Sequence, residues 1–404
     1  MDRRNFLVSA VAATAATAGT LRAAEKTTVS SPKKKLTVGI IGCGRMGQYY
    51  AQVYKALPDT ELVAIAEWNS DRRKVVGKRF GVTSLFKDAN SMLRTVVPDI
   101  VAVITPTKFM KGAVIACAKA GVKGVSTDKP IAARLSDADE MVQVCAERNV
   151  VFAGGNLQRA KWEVQQAAKR IHSGKFGKIQ GVAIHGFGGE ISGGGCQHLS
   201  VLRLMTGAEV QEVTAWGNPA EALDEKADDG GLNINGLFRM TSGINCQVFG
   251  LPRAFGSTKN INGVDVWTED AMVQWHWGVP KIFQGTDAKG ARKEIDPKYP
   301  AFPWPDVLKT PGLYEAADYL VSSIHSFIDA VNTGSELWIS GHDLRQALEI
   351  AIASKRSAQL GNQPVQLPLK DRSLTLYPRP YRWLGGDVTG RPQSDDSAAG
   401  KKDS

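Results

Sequence analysis

Gly42-Cys43-Gly44-Arg45-Met46-Gly47 sets three glycines at G-x-G-x-x-G spacing directly after the apolar run Leu36 to Ile41. Such spacing suits a tight strand-to-helix turn. Gly42 permits the reversal, Gly44 lets the backbone approach an anion, and Gly47 lets the helix pack close against the strand. Arg45 and Met46 lie in this turn, ahead of a helix whose N-terminal N–H groups attract phosphate oxygens. Glu67 lies twenty residues past Gly47, at the end of a second apolar run, where a carboxylate meets ribose hydroxyls. The set predicts a dinucleotide site. A carboxylate there repels a 2′-phosphate, so NAD is the expected cofactor, while Ser70, Arg72 and Arg73 keep NADP open.

Two more stretches fall where an open α/β sheet binds ligands, at strand carboxyl ends. Thr105-Pro106-Thr107 follows a fourth apolar run and would border the nicotinamide ribose; Thr127-Asp128-Lys129-Pro130 follows a fifth. A lysine there can hydrogen-bond a substrate oxygen. Further along, Asn156, Gln158, Arg159 and Lys161 form a polar cluster, and Arg159 offers a fork of donors to hydroxyls or a carboxylate. His185 and Glu190 flank a glycine-rich loop, Gly186 to Gly195, with Cys196 and His198 just beyond. Their spacing matches no zinc rule, and no metal is expected.

These residues need a scaffold, and the pattern supplies one. Leu36 to Ile41, Leu62 to Glu67, Ile100 to Ile104, Val122 to Ser126 and Val150 to Ala153 read as strands; Tyr49 to Leu57, Asp71 to Phe80, Ala113 to Ala120 and Asp137 to Arg148 read as helices. Continuous apolar strands alternating with helices predict a doubly wound parallel sheet over residues 34–155. After a helix at Trp162 to Ser173 come longer strands: Lys178 to His185, Val210 to Trp216, Gly231 to Met240, Ile244 to Leu251, Val264 to Trp267 and Ala271 to Trp277. Helices at Glu315 to Asn332 and His342 to Leu360 follow. Residues 156–370 thus read as an α+β domain with a mostly antiparallel sheet, and 371–404 as an extension whose end, Gly385 to Ser404, is a flexible tail. Trp267, Trp275, Trp277 and Trp304 could stack on sugar rings, although the alternation of Trp275 and Trp277 fits sheet packing.

The N-terminus has its own composition. Arg3-Arg4-Asn5-Phe6-Leu7 precedes an Ala- and Thr-rich run to about Leu21, similar to a twin-arginine export signal, so residues 1–33 are read as signal and linker and the protein is expected to be exported to the periplasm. Residues 1–35 hold seven Lys and Arg against Asp2 and Glu25, half of the net +10 of the 404-residue chain. The remainder is diffuse, which argues against nucleic acid as a partner. No stretch past the leader approaches the roughly 20 apolar residues of a bilayer span, so the mature form is expected off the membrane. Five cysteines without paired spacing argue against a disulfide framework, and Cys43, Cys117 and Cys145 read as small buried hydrophobes.

Asp128-Lys129-Pro130 is similar to the E-K-P motif of the Gfo/Idh/MocA oxidoreductases, with Asp in place of Glu. Ala118-Lys119-Ala120-Gly121, Gly174-Lys175-Phe176-Gly177, Ala347-Leu348-Glu349-Ile350, Ser357-Ala358-Gln359-Leu360-Gly361 and Val365-Gln366-Leu367-Pro368-Leu369 follow the same family in order. The resemblance implies a Rossmann domain, a second domain whose open sheet forms homo-oligomers, and hydride transfer between a nicotinamide and a sugar, polyol or related carbon. It carries the family lysine to Lys129. It also exposes a departure: the family stretch Asp-x-Gly-x-His-x-x-Asp, counted back from Gly207, falls on Gly193, Gly195, Gln197 and Ser200, and Met110 stands near another family histidine. Gln197, Gln158 and Arg159 become substrate contacts, and His198 either replaces the missing base or is a neutral helix-capping histidine. Redox-assisted lyase or glycosidase chemistry with recycled NAD, and a non-catalytic nucleotide-binding protein, are the alternatives to net oxidation.

Overall fold

Alternating apolar runs and amphipathic stretches fold as the parallel pattern requires. The computed structural model describes residues 34–250, 262–301 and 318–384. In chain order come β1 (Leu36–Ile41), α1 (Arg45–Ala56), β2 (Thr60–Ala66), α2 (Ser70–Phe80), β3 (Ser84–Phe86), α3 (Ala89–Leu93), β4 (Ile100–Val103), α4 (Thr107–Ala120), β5 (Gly124–Thr127), α5 (Leu135–Glu147) and β6 (Val151–Gly154). The strands pair in parallel in the order β3-β2-β1-β4-β5-β6, so the direction of winding reverses between β1 and β4. That reversal opens a crevice at the carboxyl ends, the ligand position of doubly wound sheets.

Next are α6 (Trp162–His172), β7 (Ile179–His185), α7 (Gly195–Thr206), β8 (Val210–Asn218), β9 (Asn233–Met240), β10 (Asn245–Phe249), β11 (Gly263–Thr268), β12 (Ala271–Trp275), β13 (Lys281–Thr286) and β14 (Arg292–Ile295). The chain ends in α8 (Asp318–Thr333), α9 (Gly341–Gln359), β15 (Val365–Gln366) and α10 (Pro380–Trp383). The second sheet runs β14-β13-β12-β11-β7-β10-β9-β8-β15, with β7 and β10 parallel and its other pairs antiparallel. Its inner face, including Val182, Ile184, Phe238, Val264 and Trp275, is buried in one hydrophobic core with α6, α7 and α9 residues.

Three features depart from the sequence expectation. α1 and α4 start earlier than their periodicity suggests, at Arg45 and Thr107, because each begins inside a ligand-side turn of glycines or of Thr105-Pro106. The first sheet is not completed by residues 34–155 alone: Leu320, Ile324, Phe327 and Ile328 of α8 pack in one core with Val38, Ile40, Tyr50 and Ile100. Residues 371–384, expected only as a C-terminal extension, form a packed strap in which Leu376 is fully buried. The leader expected at residues 1–33, Trp304, the start of the helix expected from Glu315 and the tail expected from Gly385 lie outside the described residues. No helix among the described residues is long and apolar enough to cross a membrane.

Candidate active site

The glycine turn is built for close approach. Gly42 has φ +89°, and a Cβ there would lie 2.4 Å from the Ile104 carbonyl oxygen. A Cβ on Gly47 would meet the Gly42 oxygen at 1.9 Å, whereas one on Gly44 would enter open space. So Gly42 and Gly47 let strand, turn and helix touch, and Gly44 leaves room for a ligand. No side chain caps α1 at Gly44, which leaves the helix N-terminus at Arg45 and Met46 able to receive an anion. Glu67, 3% exposed, accepts from Cys43 N–H at 2.8 Å and Asn69 N–H at 2.9 Å. Arg72 pairs with the oxygen that accepts from Asn69, at 3.4 Å, and Arg73 donates to the Glu67 backbone carbonyl oxygen. Arg72 therefore braces the carboxylate and Arg73 the backbone beside it.

Across the crevice, Asp128 closes β5 and its Oδ1 accepts the Lys129 N–H at 2.7 Å. Lys129 is half-buried. The Cys196 thiol, at the start of α7, is pushed up to about 12 by burial and feels the charges of Lys129, Asp128, Arg382 and Glu190 in turn. Burial likewise pushes the Tyr50 phenol well above its ordinary value, with Asp128 adding to the rise. Thr105 Oγ1 and Asn156 Oδ1, after β4 and β6, are buried without a hydrogen-bond partner among the described residues. An anion-ready helix end, a cleared Gly44, a fixed carboxylate and unspent polar atoms along the carboxyl edge fit a dinucleotide.

Several expected contacts are placed elsewhere. Arg159 donates to the Trp338 oxygen at 2.8 Å and the Ser200 oxygen at 3.3 Å, and lies 3.3 Å from Asp343, so its fork braces the start of α9 rather than a substrate. Gln197 accepts from Gln158 N–H at 2.7 Å and donates to the Asn156 oxygen at 3.2 Å; its amide staples the loop after β6 to α7. Gln158 stays beside it, its Oε1 buried without a partner among the described residues. His198 is a correction to the acid/base reading. Its ring is wedged edge-on against Phe187, Trp275 and Trp277, its Nε2 meets Asn262, and burial lowers it to about 4. It is neutral at pH 7 and withdrawn into the core.

His185 pairs with Asp265 at 3.2 Å, and His276 meets the same carboxylate at 2.8 Å; burial opposes but the two rings prevail, holding Asp265 down at about 2. Trp275 is core, as its alternation suggested, and Met110 is a buried residue of α4. All five cysteines are buried and free. Among the described residues no group of three His, Cys, Asp or Glu is placed to hold a metal ion.

The strap adds residues that no motif announced. Leu135 N–H donates to the Leu374 oxygen and Leu376 N–H to the Ala133 oxygen, tying the strap to the chain just past Lys129-Pro130. Arg379 then donates to the Gly189 oxygen at 3.1 Å, and Asp229 N–H to the Tyr377 oxygen at 2.9 Å. α10 packs on α4, and its Arg382 Nε lies 2.5 Å from Glu190 Oε1. The only sequence signal was the interleaving of arginine and aromatic residues in Tyr377-Pro378-Arg379-Pro380-Tyr381-Arg382-Trp383. Asp229, fully buried beneath this loop, accepts from Ser192 N–H at 2.6 Å; burial raises it to about 7.

A family model described as an oxidoreductase family with an NAD-binding Rossmann fold, GFO_IDH_MocA, matches residues 36–155. The chain is 25% identical over 349 residues to myo-inositol 2-dehydrogenase of Thermotoga maritima, across 80% of this chain and 96% of that protein. It is 30% identical over 151 residues to D-glucoside 3-dehydrogenase of Escherichia coli K12, a match spanning 37% of this chain and 42% of that one. A solved levoglucosan dehydrogenase in complex with NADH and levoglucosan shares the fold, with a TM-score of 0.67 at 20% identity over 83% of this chain and 100% of that chain.

Proposed function

Taking the chain as a Gfo/Idh/MocA oxidoreductase, the family whose model its residues 36–155 match, we propose that it is an NAD-dependent enzyme acting on a sugar, polyol or related carbohydrate carbon. The observation that carries this reading is the convergence of the glycine turn and Asp128-Lys129 on one crevice at the switch between β1 and β4. Bound NAD supplies the acceptor and donor of hydride there. The chain supplies the rest. The α1 N-terminus and the space at Gly44 hold the pyrophosphate, Glu67 accepts from ribose hydroxyls, and the Lys129 ammonium donates to the substrate oxygen at the reacting carbon.

A panel of sugars and polyols, followed by both NADH absorbance and product mass spectrometry, tests the reading. Lys129→Ala should lower kcat by about 10²–10⁴-fold while NAD affinity stays within about threefold. An unimpaired variant defeats the lysine assignment. Product formed without NADH accumulation points instead to elimination chemistry with a recycled cofactor, and unchanged sugars throughout to a nucleotide-binding protein.

Two further parts belong to the same proposal. The leader Arg3-Arg4-Asn5-Phe6-Leu7 supports twin-arginine export to the periplasm. Trp216, Leu237 and Phe249 are exposed on the outer face of the second sheet and support a homo-oligomer formed through that face.

A further inference from the structure

We propose that Glu190, Tyr381 and Arg382 form a hydroxyl-recognition subsite beside Lys129 that selects a neutral polyhydroxy ring, and that the strap of residues 370–384 completes it. The inference rests on the carbohydrate reading above and deepens it.

Placement comes first. The strap is anchored at one end to Ala133 and Leu135, a few residues past Lys129, and at the other to Gly189 and Asp229 beside the glycine-rich loop. Between these anchors α10 lies against α4, the helix that starts at Thr107 on the cofactor edge. The charges agree with that path. Arg382 feels Glu190 and Asp128, and the Cys196 thiol feels Lys129, Asp128, Arg382 and Glu190 together. The anchors just past Lys129-Pro130 and the packing of α10 on α4 put the pair on the Lys129 side of the crevice.

Chemistry comes second. Glu190 is 9% exposed, its Oε1 2.5 Å from Arg382 Nε and its Oε2 3.5 Å from the Tyr381 hydroxyl. The guanidinium lies over the Tyr381 ring, 5.0 Å from the centroid, which fixes its plane. A carboxylate keeps acceptor sites beyond one ion pair, and a guanidinium held through Nε keeps its terminal N–H donors. Adjacent acceptor and donor suit a vicinal diol: one hydroxyl donates to Glu190 while the neighbouring oxygen accepts from Arg382. Because the two charges offset each other, a neutral ring enters without leaving a buried charge unpaired, whereas an added carboxylate would face Glu190.

The test measures binding to the full chain loaded with NAD, by calorimetry and ligand-observed NMR, with myo-inositol as the neutral probe and D-glucuronate as its charged counterpart. Wild type should bind myo-inositol more tightly than glucuronate. Glu190→Gln and Arg382→Lys should each weaken the neutral probe tenfold or more, with NAD affinity unchanged. Glu190→Gln keeps size and packing and carries the test by itself if Arg382→Lys fails to fold. No binding of myo-inositol, tighter binding of glucuronate, or equal binding by wild type and Glu190→Gln each overturns the subsite. Polyol binding without turnover keeps the subsite and defeats the oxidoreductase reading. Lys129-dependent turnover with KM unmoved by Glu190→Gln does the reverse.

Discussion

Asp229 shows how one buried side chain sets a pH dependence. Its carboxyl rises from 3.8 to about 7, chiefly through burial, because the interior disfavours the charged form. A folded-state value above the unfolded one means the native state binds more protons between those limits. Stability is therefore lost as pH climbs from about 4 to 7 and stays lower above. Asp229→Asn keeps an acceptor for the Ser192 N–H and removes the charge. It should gain on the order of 4 kcal/mol at pH 8 and almost nothing at pH 4, read from urea unfolding at both values. An equal gain at both would remove the burial argument. The residues whose placement was legible beforehand were those fixed by local backbone geometry. Gly42, Gly44, Gly47, Glu67 and Lys129 each occupy a fixed place in a strand-turn-helix unit. His198 and Arg159 were misread because a side chain's direction depends on what packs around it. Trp275 and Trp277 draw the first inward, and Asp343, far along the chain, captures the second.

Among the elements, α8 has an importance its own sequence does not reveal. It reads as an ordinary amphipathic helix of the second half, yet Phe327 lies so close to β5 that a Cβ on Gly124 would be 2.6 Å from its ring. Phe327→Ala should cost about 3–5 kcal/mol, measured by denaturant unfolding, with saturating NAD restoring part of the loss by mass action. A change under 1 kcal/mol would mean the first sheet does not depend on α8. Long apolar strands such as β1 and β7 were readable from composition. β3, β13, β14 and β15 were not, since short edge strands carry little periodicity and are defined by their partners. The strap was missed for a related reason: its order comes from carbonyl and amide groups on distant segments.

For the whole molecule, the open sheet and the leader make separate predictions. Leu237→Lys places a charge in the middle of the exposed outer face and should shift the assembly to monomers in light scattering after gel filtration; an unchanged mass would locate any interface elsewhere. Replacing Arg3 and Arg4 together by Lys should retain the precursor in the cytoplasm on cell fractionation, and normal export of that variant would refute the twin-arginine assignment.

The return of α8 to the first sheet orders events at the ribosome. When residue 155 has been translated, all three glycines of the turn and Lys129 exist, but the apolar face formed by Val38, Ile40 and Ile100 still awaits Leu320, Ile324 and Phe327. The nascent chain thus holds a legible coenzyme motif on an unfinished core for the time needed to add more than a hundred further residues. The glycine turn therefore rests on a complete core only once α8 has been made.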